Sequence, residues 1–271
     1  MENKILFSLK IDDWLVTSAK FTADGQKAIF CGEGRGLIIW CIKEGRIDRI
    51  SRIGERKEHR WGGLEVSKCG RFIGLIGENG CTLLLSATSF CTLGVLKMNG
   101  KSLCCAFDPQ GRYIFTAGTE KKVYVWETSS FKCIRTFTDT SGSAITSIAV
   151  PSDGGRIILG SELGILSLYD IDMILSTNTA TEPVKTLMNL TTRITQISAH
   201  PSCELFAFSS DDKNRSLRLV HSATGRVFSN WPKDNSPLFR VHTIAFNPSG
   251  RYMAIGTSKG SALLYSLRHF E

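Results

Sequence analysis

Proline, histidine and long apolar runs are scarce in this sequence, and each shortage narrows what the chain can be. No stretch approaches 18 consecutive apolar residues, so no membrane-spanning helix is predicted. The opening MENKILFSLKIDDW lacks the long apolar core and small-residue cleavage site of a secretory signal, and an intracellular protein is expected. Only 7 prolines accompany 25 glycines in 271 residues, with 42% hydrophobic and 21% charged, a balance that argues for a folded, turn-rich protein. The 9 cysteines are odd in number and irregularly spaced, with no C-x-x-C pair and no Cys/His cluster of zinc type. Free thiols, mostly buried, are expected, with adjacent Cys104 and Cys105 on opposite faces of a strand.

Motifs that carry chemistry are equally thin. No nucleophile elbow, P-loop, dinucleotide fingerprint or His/carboxylate cluster is predicted. The string GEGRG at 32–36 shares only its glycines with a phosphate loop and leads into a strand where such a loop needs a helix, so it reads as a turn between strands. The five histidines, at 59, 200, 221, 242 and 269, are dispersed, and four of them sit at repeat or strand-end positions where loop or capping roles are expected. His221 in particular is expected to make a structural hydrogen bond. No catalytic residue, cofactor, metal or small-molecule substrate is predicted.

What the chain does have is repetition. The segments AKFTADGQKAIFCG, LEVSKCGRFIGLIG, CAFDPQGRYIFTAG, IAVPSDGGRIILGS, ISAHPSCELFAFSS and IAFNPSGRYMAIGT each read as strand, turn, strand. Their turn positions Gly25, Gly70, Gly111, Gly154, Cys203 and Gly250 lie 45, 41, 43, 49 and 47 apart. Five of the six are glycine, as a turn with positive φ prefers. A third strand follows each: LIIWC, TLLLS, VYVWE, LSLYD, LRLVH and ALLYS. Trp40, Trp126, Tyr169 and Tyr265 fill an aromatic slot in these strands, and Leu85 and Val220 replace it. An acid follows the aromatic in VYVWE and LSLYD, a degenerate Trp-Asp signature.

A period of roughly 40 to 45 residues with four short strands per unit predicts an all-β WD40-type β-propeller with six recognisable blades in a single domain over 1–271. A four-stranded sheet with two apolar faces must be covered on both, so neighbouring sheets stack around a channel, and Val123 to Trp126 is apolar on both faces for that reason. The Gly-His pair of many WD repeats is missing from every unit, so blade stability is expected to rest chiefly on apolar burial. The sixth unit lacks a fourth strand, and Ile5 to Leu9 is expected to complete it, antiparallel to Ala262 to Leu267.

From Lys97 onward the match becomes more specific. The strings VYVWETSSFKCIRTFTD, EPVKTLMNLTTRITQIS, RLVHSATGRVFSNWP and VHTIAFNPSGRYMAIGTSKGSALLYSLRHF resemble the U3 small nucleolar RNA-associated protein 18 family. The resemblance covers nearly all of the chain and weakens before Leu64. It implies a nucleolar, non-catalytic scaffold of ribosome biogenesis, within the UtpB subcomplex of the small-subunit processome. The implied partners are other UtpB WD-repeat subunits, including the periodic tryptophan protein, together with the U3 small nucleolar RNP and pre-ribosomal RNA. The family looks seven-bladed with a long charged N-terminal extension; that extension and most of the first blade are absent from this sequence.

The formal charge of +8 and a pI near 9.1 favour polyanionic surroundings. Candidate RNA or protein contacts are Arg52, Arg56, Lys57 and Arg60 in the basic stretch 43–60, Lys213 and Arg215 in SSDDKNRSLRL, and Arg268 with His269 near the end. Neighbouring Glu55, Glu58, Asp211 and Asp212 dilute a simple phosphate patch, and plain solvation is the other reading of each cation. The insertion DIDMILSTNTATEPV at 170–184 is expected to be a surface loop. Two other functional readings stay open: a WD40 peptide-recognition adaptor, and an enzyme with a channel site. Two or more carboxylates or histidines converging in the channel would favour the enzyme.

Overall fold

Each repeat folds into an antiparallel sheet whose consecutive strands are hydrogen-bonded neighbours. The computed structural model describes residues 11, 14–34, 36–53, 60–176, 181–233 and 236–270. Blades 1 to 5 occupy 16–50, 63–97, 102–138, 145–187 and 196–227 with four strands each, and blade 6 has three strands over 241–266. The innermost strands are Val16–Phe21, Gly63–Val66, Ser102–Phe107, Ile145–Ala149, Gln196–Ala199 and Val241–Phe246, and each packs on the next in chain order.

The core lies between sheets, as strands with two apolar faces require. Val123 and Val125 are fully buried against blade 4, while Tyr124 and Trp126 of the same strand pack toward blade 2. Cys104 and Cys105 divide in the same way, one into each of these clusters. Burial pushes both thiols well above their ordinary pKa, so neither is a nucleophile at neutral pH. All nine cysteines are free; five are buried, and Cys91 and Cys133 are exposed.

Five apolar clusters join blades 1 and 2, 2 and 3, 3 and 4, 4 and 5, and 5 and 6. Among the described residues no sixth cluster joins blade 6 to blade 1. Blade 6 buries Met253 and Ile255 against blade 5, whereas Ala254 and Leu264 on its other face are exposed, Leu264 by 64%. The expected pairing of Ile5 to Leu9 with the last strand lies outside the described residues. No helix among them is long and apolar enough to cross a membrane.

The six repeat turns behave alike. Gly25, Gly70, Gly111, Gly154, Cys203 and Gly250 all have φ between +62° and +77°, Cys203 included. The turns also touch one another around the ring. A Cβ on Gly111 would meet the sulfur of Cys69, one on Gly154 would lie 3.2 Å from Pro109, and one on Gly250 would lie 2.5 Å from the His200 ring. Gly25 has no such neighbour among the described residues.

The insertion after blade 4's third strand is partly helical, where a loop was expected. Ile171–Ser176 forms a short α-helix because Ile171 and Ile174, three apart, both bury against the core between blades 3 and 4. Asp170 caps it, its Oδ1 accepting from the Met173 backbone N–H at 3.1 Å. A capping acid followed by apolar residues at i and i+3 is the sequence signal that the loop reading passed over.

Candidate interaction surfaces

Polar side chains at the ends of the third strands hold the outer turns. Trp126 donates its indole N–H to Thr116 Oγ1 at 2.9 Å, deep in the sheet. Glu127, next along, accepts from Ser130 Oγ at 2.6 Å and closes the turn to the fourth strand. His221 does the same with Thr224 Oγ1 at 2.9 Å, and Ser86 with Thr88 Oγ1 at 3.0 Å. The acid of the Trp-Asp signature is thus one of several side chains able to clip this turn, which is why His and Ser replace it here.

One buried link between blades had no signal in the sequence. Asp139, after blade 3, accepts from the Tyr169 hydroxyl of blade 4 at 2.8 Å and from the Ser141 backbone N–H at 3.0 Å. Burial and the neighbouring Asp139 charge push the Tyr169 phenol up, keeping it a hydrogen-bond donor over the whole physiological range. His200 is buried as well: Ser202 N–H donates to its Nδ1 at 3.1 Å, so Nε2 carries the proton and donates to the Gly250 carbonyl at 2.8 Å. His221 ends its strand, His269 lies in the last turn, and His200 caps the turn after its strand while also serving the contact between blades 5 and 6; His242 is the second residue of Val241–Phe246 and faces the channel.

The innermost strands enclose a channel of about 730 Å³. Its described lining holds one carboxylate, Glu65, in an ion pair with Lys20 at 2.8 Å. The Glu65 charge raises the Lys20 pKa. Lys68 donates to Ser152 Oγ at 2.9 Å and to the Val150 carbonyl at 3.3 Å, and burial lowers its pKa. His242 also lines the channel and lies 3.7 Å from Asp211, which Arg193 approaches at 3.4 Å. Within the described lining the acid and base groups within hydrogen-bond reach of each other are Glu65 and Lys20, held as an ion pair.

Two glycine strings are likewise structural. A Cβ at Gly32 or Gly36 of GEGRG would collide with the carbonyl oxygens of Leu15 or Ile50, so these glycines permit close backbone packing. The string GTSKG at 256–260 has the G-x-S-x-G pattern of a nucleophile elbow, although no elbow was predicted. Ser258 sits in the hairpin between Tyr252–Thr257 and Ala262–Ser266, not on a strand-to-helix turn, and so lacks the geometry of an elbow.

The expected contact residues divide between two rims. Strand order places the second-to-third turns and the blade connections on one rim, here the connection rim, and the remaining turns on the opposite one. Arg52 and Arg60 are exposed on the connection rim between blades 1 and 2, with Arg60 bridging to Glu33; Arg56 and Lys57 lie outside the described residues. Lys213 and Arg215 are exposed on the connection rim at blade 5. Arg268 and His269 belong to the short 3-10 turn Arg268–Phe270 on the opposite rim, where His269 lies 3.5 Å from Glu204. The six described candidates therefore do not form one patch.

Residues 92–127 and 131–170 match the WD domain, G-beta repeat family. A U3 small nucleolar RNA-associated protein 18 homolog of Mus musculus is 32% identical over 99% of this chain and 49% of its own length. Nearly the whole chain is similar to U3 small nucleolar RNA-associated protein 18 homologs of several eukaryotes. The Arabidopsis thaliana homolog is 29% identical over 99% of the chain and 49% of its own length. The Saccharomyces cerevisiae U3 small nucleolar RNA-associated protein 18 is 33% identical over 72% of the chain and 37% of its own length. The chain spans about half the length of the mouse and Arabidopsis proteins, so the shared region is the propeller described above.

Proposed function

We propose that this protein is a non-catalytic scaffold of ribosome biogenesis, working in the small-subunit processome during pre-18S ribosomal RNA processing and assembly of the small subunit. The observation that carries this reading is the match to U3 small nucleolar RNA-associated protein 18 homologs along nearly the whole propeller. The rigid ring presents turns and connections of two rims, the arrangement by which a propeller holds several partners at fixed angles. On this reading the partners are other WD-repeat subunits of the UtpB subcomplex, including the periodic tryptophan protein, with the U3 small nucleolar RNP and pre-ribosomal RNA. The place of action is the nucleolus.

A tagged copy isolated from nuclear extract, with mass spectrometry of the proteins and sequencing of the RNA, tests this directly. Recovery of UtpB subunits with U3 RNA and pre-ribosomal RNA is the expected result. A folded protein that recovers neither contradicts the proposal.

A further inference from the structure

Beyond its short outer strand, Arg226–Val227, blade 5 continues along the connection rim through Phe228, Ser229 and Trp231 before reaching blade 6. The Phe228 backbone N–H still bonds the Leu219 carbonyl at 2.9 Å, so this aromatic is fixed to the sheet although 40% of it is exposed. Trp231 is half-buried, edge-on to Tyr265 at 5.7 Å. Both aromatics line a cavity of about 390 Å³ whose other walls include Arg215, Arg218, Lys233 and Asn189. The described lining thus carries three cations and no carboxylate.

Backbone bonds tie down two of these residues. Arg218 donates from Nη1 to the Leu217 and Arg215 carbonyls at 2.8 and 3.2 Å, which holds it against the rim. Arg215 N–H bonds the Leu238 carbonyl at 3.2 Å, and Lys259 of blade 6 lies over the neighbouring Phe239 ring at 3.6 Å. Positive charge therefore continues from the cavity onto blade 6.

We propose that this cavity holds one nucleotide of single-stranded RNA, its base against Phe228 and its phosphate between Arg215 and Lys233. Cations alone would suit any polyanion. An exposed aromatic fixed beside them adds a surface for a flat ring, which an acidic peptide lacks and which a duplex keeps inside its stack. Asn189 and Ser229 supply hydrogen-bonding groups for a base edge or a ribose hydroxyl. The proposal rests on the scaffold reading and names where RNA would touch it.

The test is binding of labelled single-stranded RNA of roughly 12 nucleotides, against a duplex of equal length, a free mononucleotide and a poly-glutamate peptide. Single strands are expected to bind most tightly. Phe228→Ala is expected to weaken them about 5- to 100-fold with little change in salt dependence. Arg215→Ala with Lys233→Ala should lower the slope of log affinity against log salt by about 1.4, two phosphate contacts on a single strand. Lys132→Ala, in the turn between the third and fourth strands of blade 3 on the opposite rim, should change neither, and urea midpoints establish that each variant is folded. Unchanged affinity in folded Phe228→Ala overturns the proposal, as does a peptide or a mononucleotide that binds as tightly as the single strand. Recovery of U3 RNA in cells together with unchanged oligonucleotide binding by Phe228→Ala would sink the cavity and leave the scaffold. Phe228-dependent binding without U3 recovery would do the reverse.

Discussion

Phe115→Ala is expected to lower unfolding stability by about 3–5 kcal/mol, read as a shift in urea midpoint. Phe115 is fully buried in the cluster between blades 3 and 4, packed with Val123, Val125, Ile157 and Tyr169. Those neighbours sit on strands hydrogen-bonded on both sides, so they collapse poorly into the space a lost ring leaves. Leu264→Ala is the matching control. At 64% exposure on the open face of blade 6, it is expected to change stability by no more than about 0.5 kcal/mol. A cost at Leu264 as large as at Phe115 would mean that this face is covered in solution.

Gly250→Ala is expected to cost about 2–5 kcal/mol, and Gly25→Ala much less. Both glycines have positive φ, +77° and +66°, so each alanine pays roughly 1–2 kcal/mol for the left-handed region. Only at Gly250 does the new Cβ also strike a neighbour, the His200 ring, 2.5 Å away. That ring is held by Ser202 and the Gly250 carbonyl, stacks on Phe270 at 4.0 Å and meets Phe246 edge-on at 5.2 Å, so it has nowhere to retreat. Overpacking of this kind adds about 1–3 kcal/mol. Cys203→Gly, the same turn in blade 5, removes the left-handed strain and is expected to cost less than about 0.5 kcal/mol despite losing the Asp153 N–H contact to its sulfur. Equal costs at Gly250 and Gly25 would show that the turns do not support one another around the ring.

The sequence made some of this legible and hid the rest for physical reasons. Strand periodicity and turn chemistry are local, so the six repeats, the turn at Cys203 and the opposed faces of Cys104 and Cys105 could be read directly. The Trp126–Glu127 pair was also legible as a repeat mark, though its working, an indole bound to Thr116 and an acid clipping Ser130, needed geometry. Contacts between blades were not legible: Tyr169 meets Asp139 across 30 positions, and His200 meets Gly250 across 50. The cavity at blade 5 was passed over for a related reason. VFSNWP served as a family string, but Arg215 and Arg218 come from the preceding hairpin, and only the fold brings them beside Phe228. Two aromatics just past a strand's end, flanked by Arg226 and Lys233, were the available signal.

The claim at the centre of this account is that the propeller works by holding partners and performs no chemistry in its channel. It is tested most directly by rescue in cells depleted of the native protein, with accumulation of 18S ribosomal RNA as the readout. The full-length protein carrying Lys20→Met with Glu65→Gln removes the channel's ion pair and its one described carboxylate while keeping the volume close. Normal 18S accumulation with this variant is the predicted result. Lost 18S production by a variant that is folded and still bound to its partners would contradict the account and place chemistry in the channel.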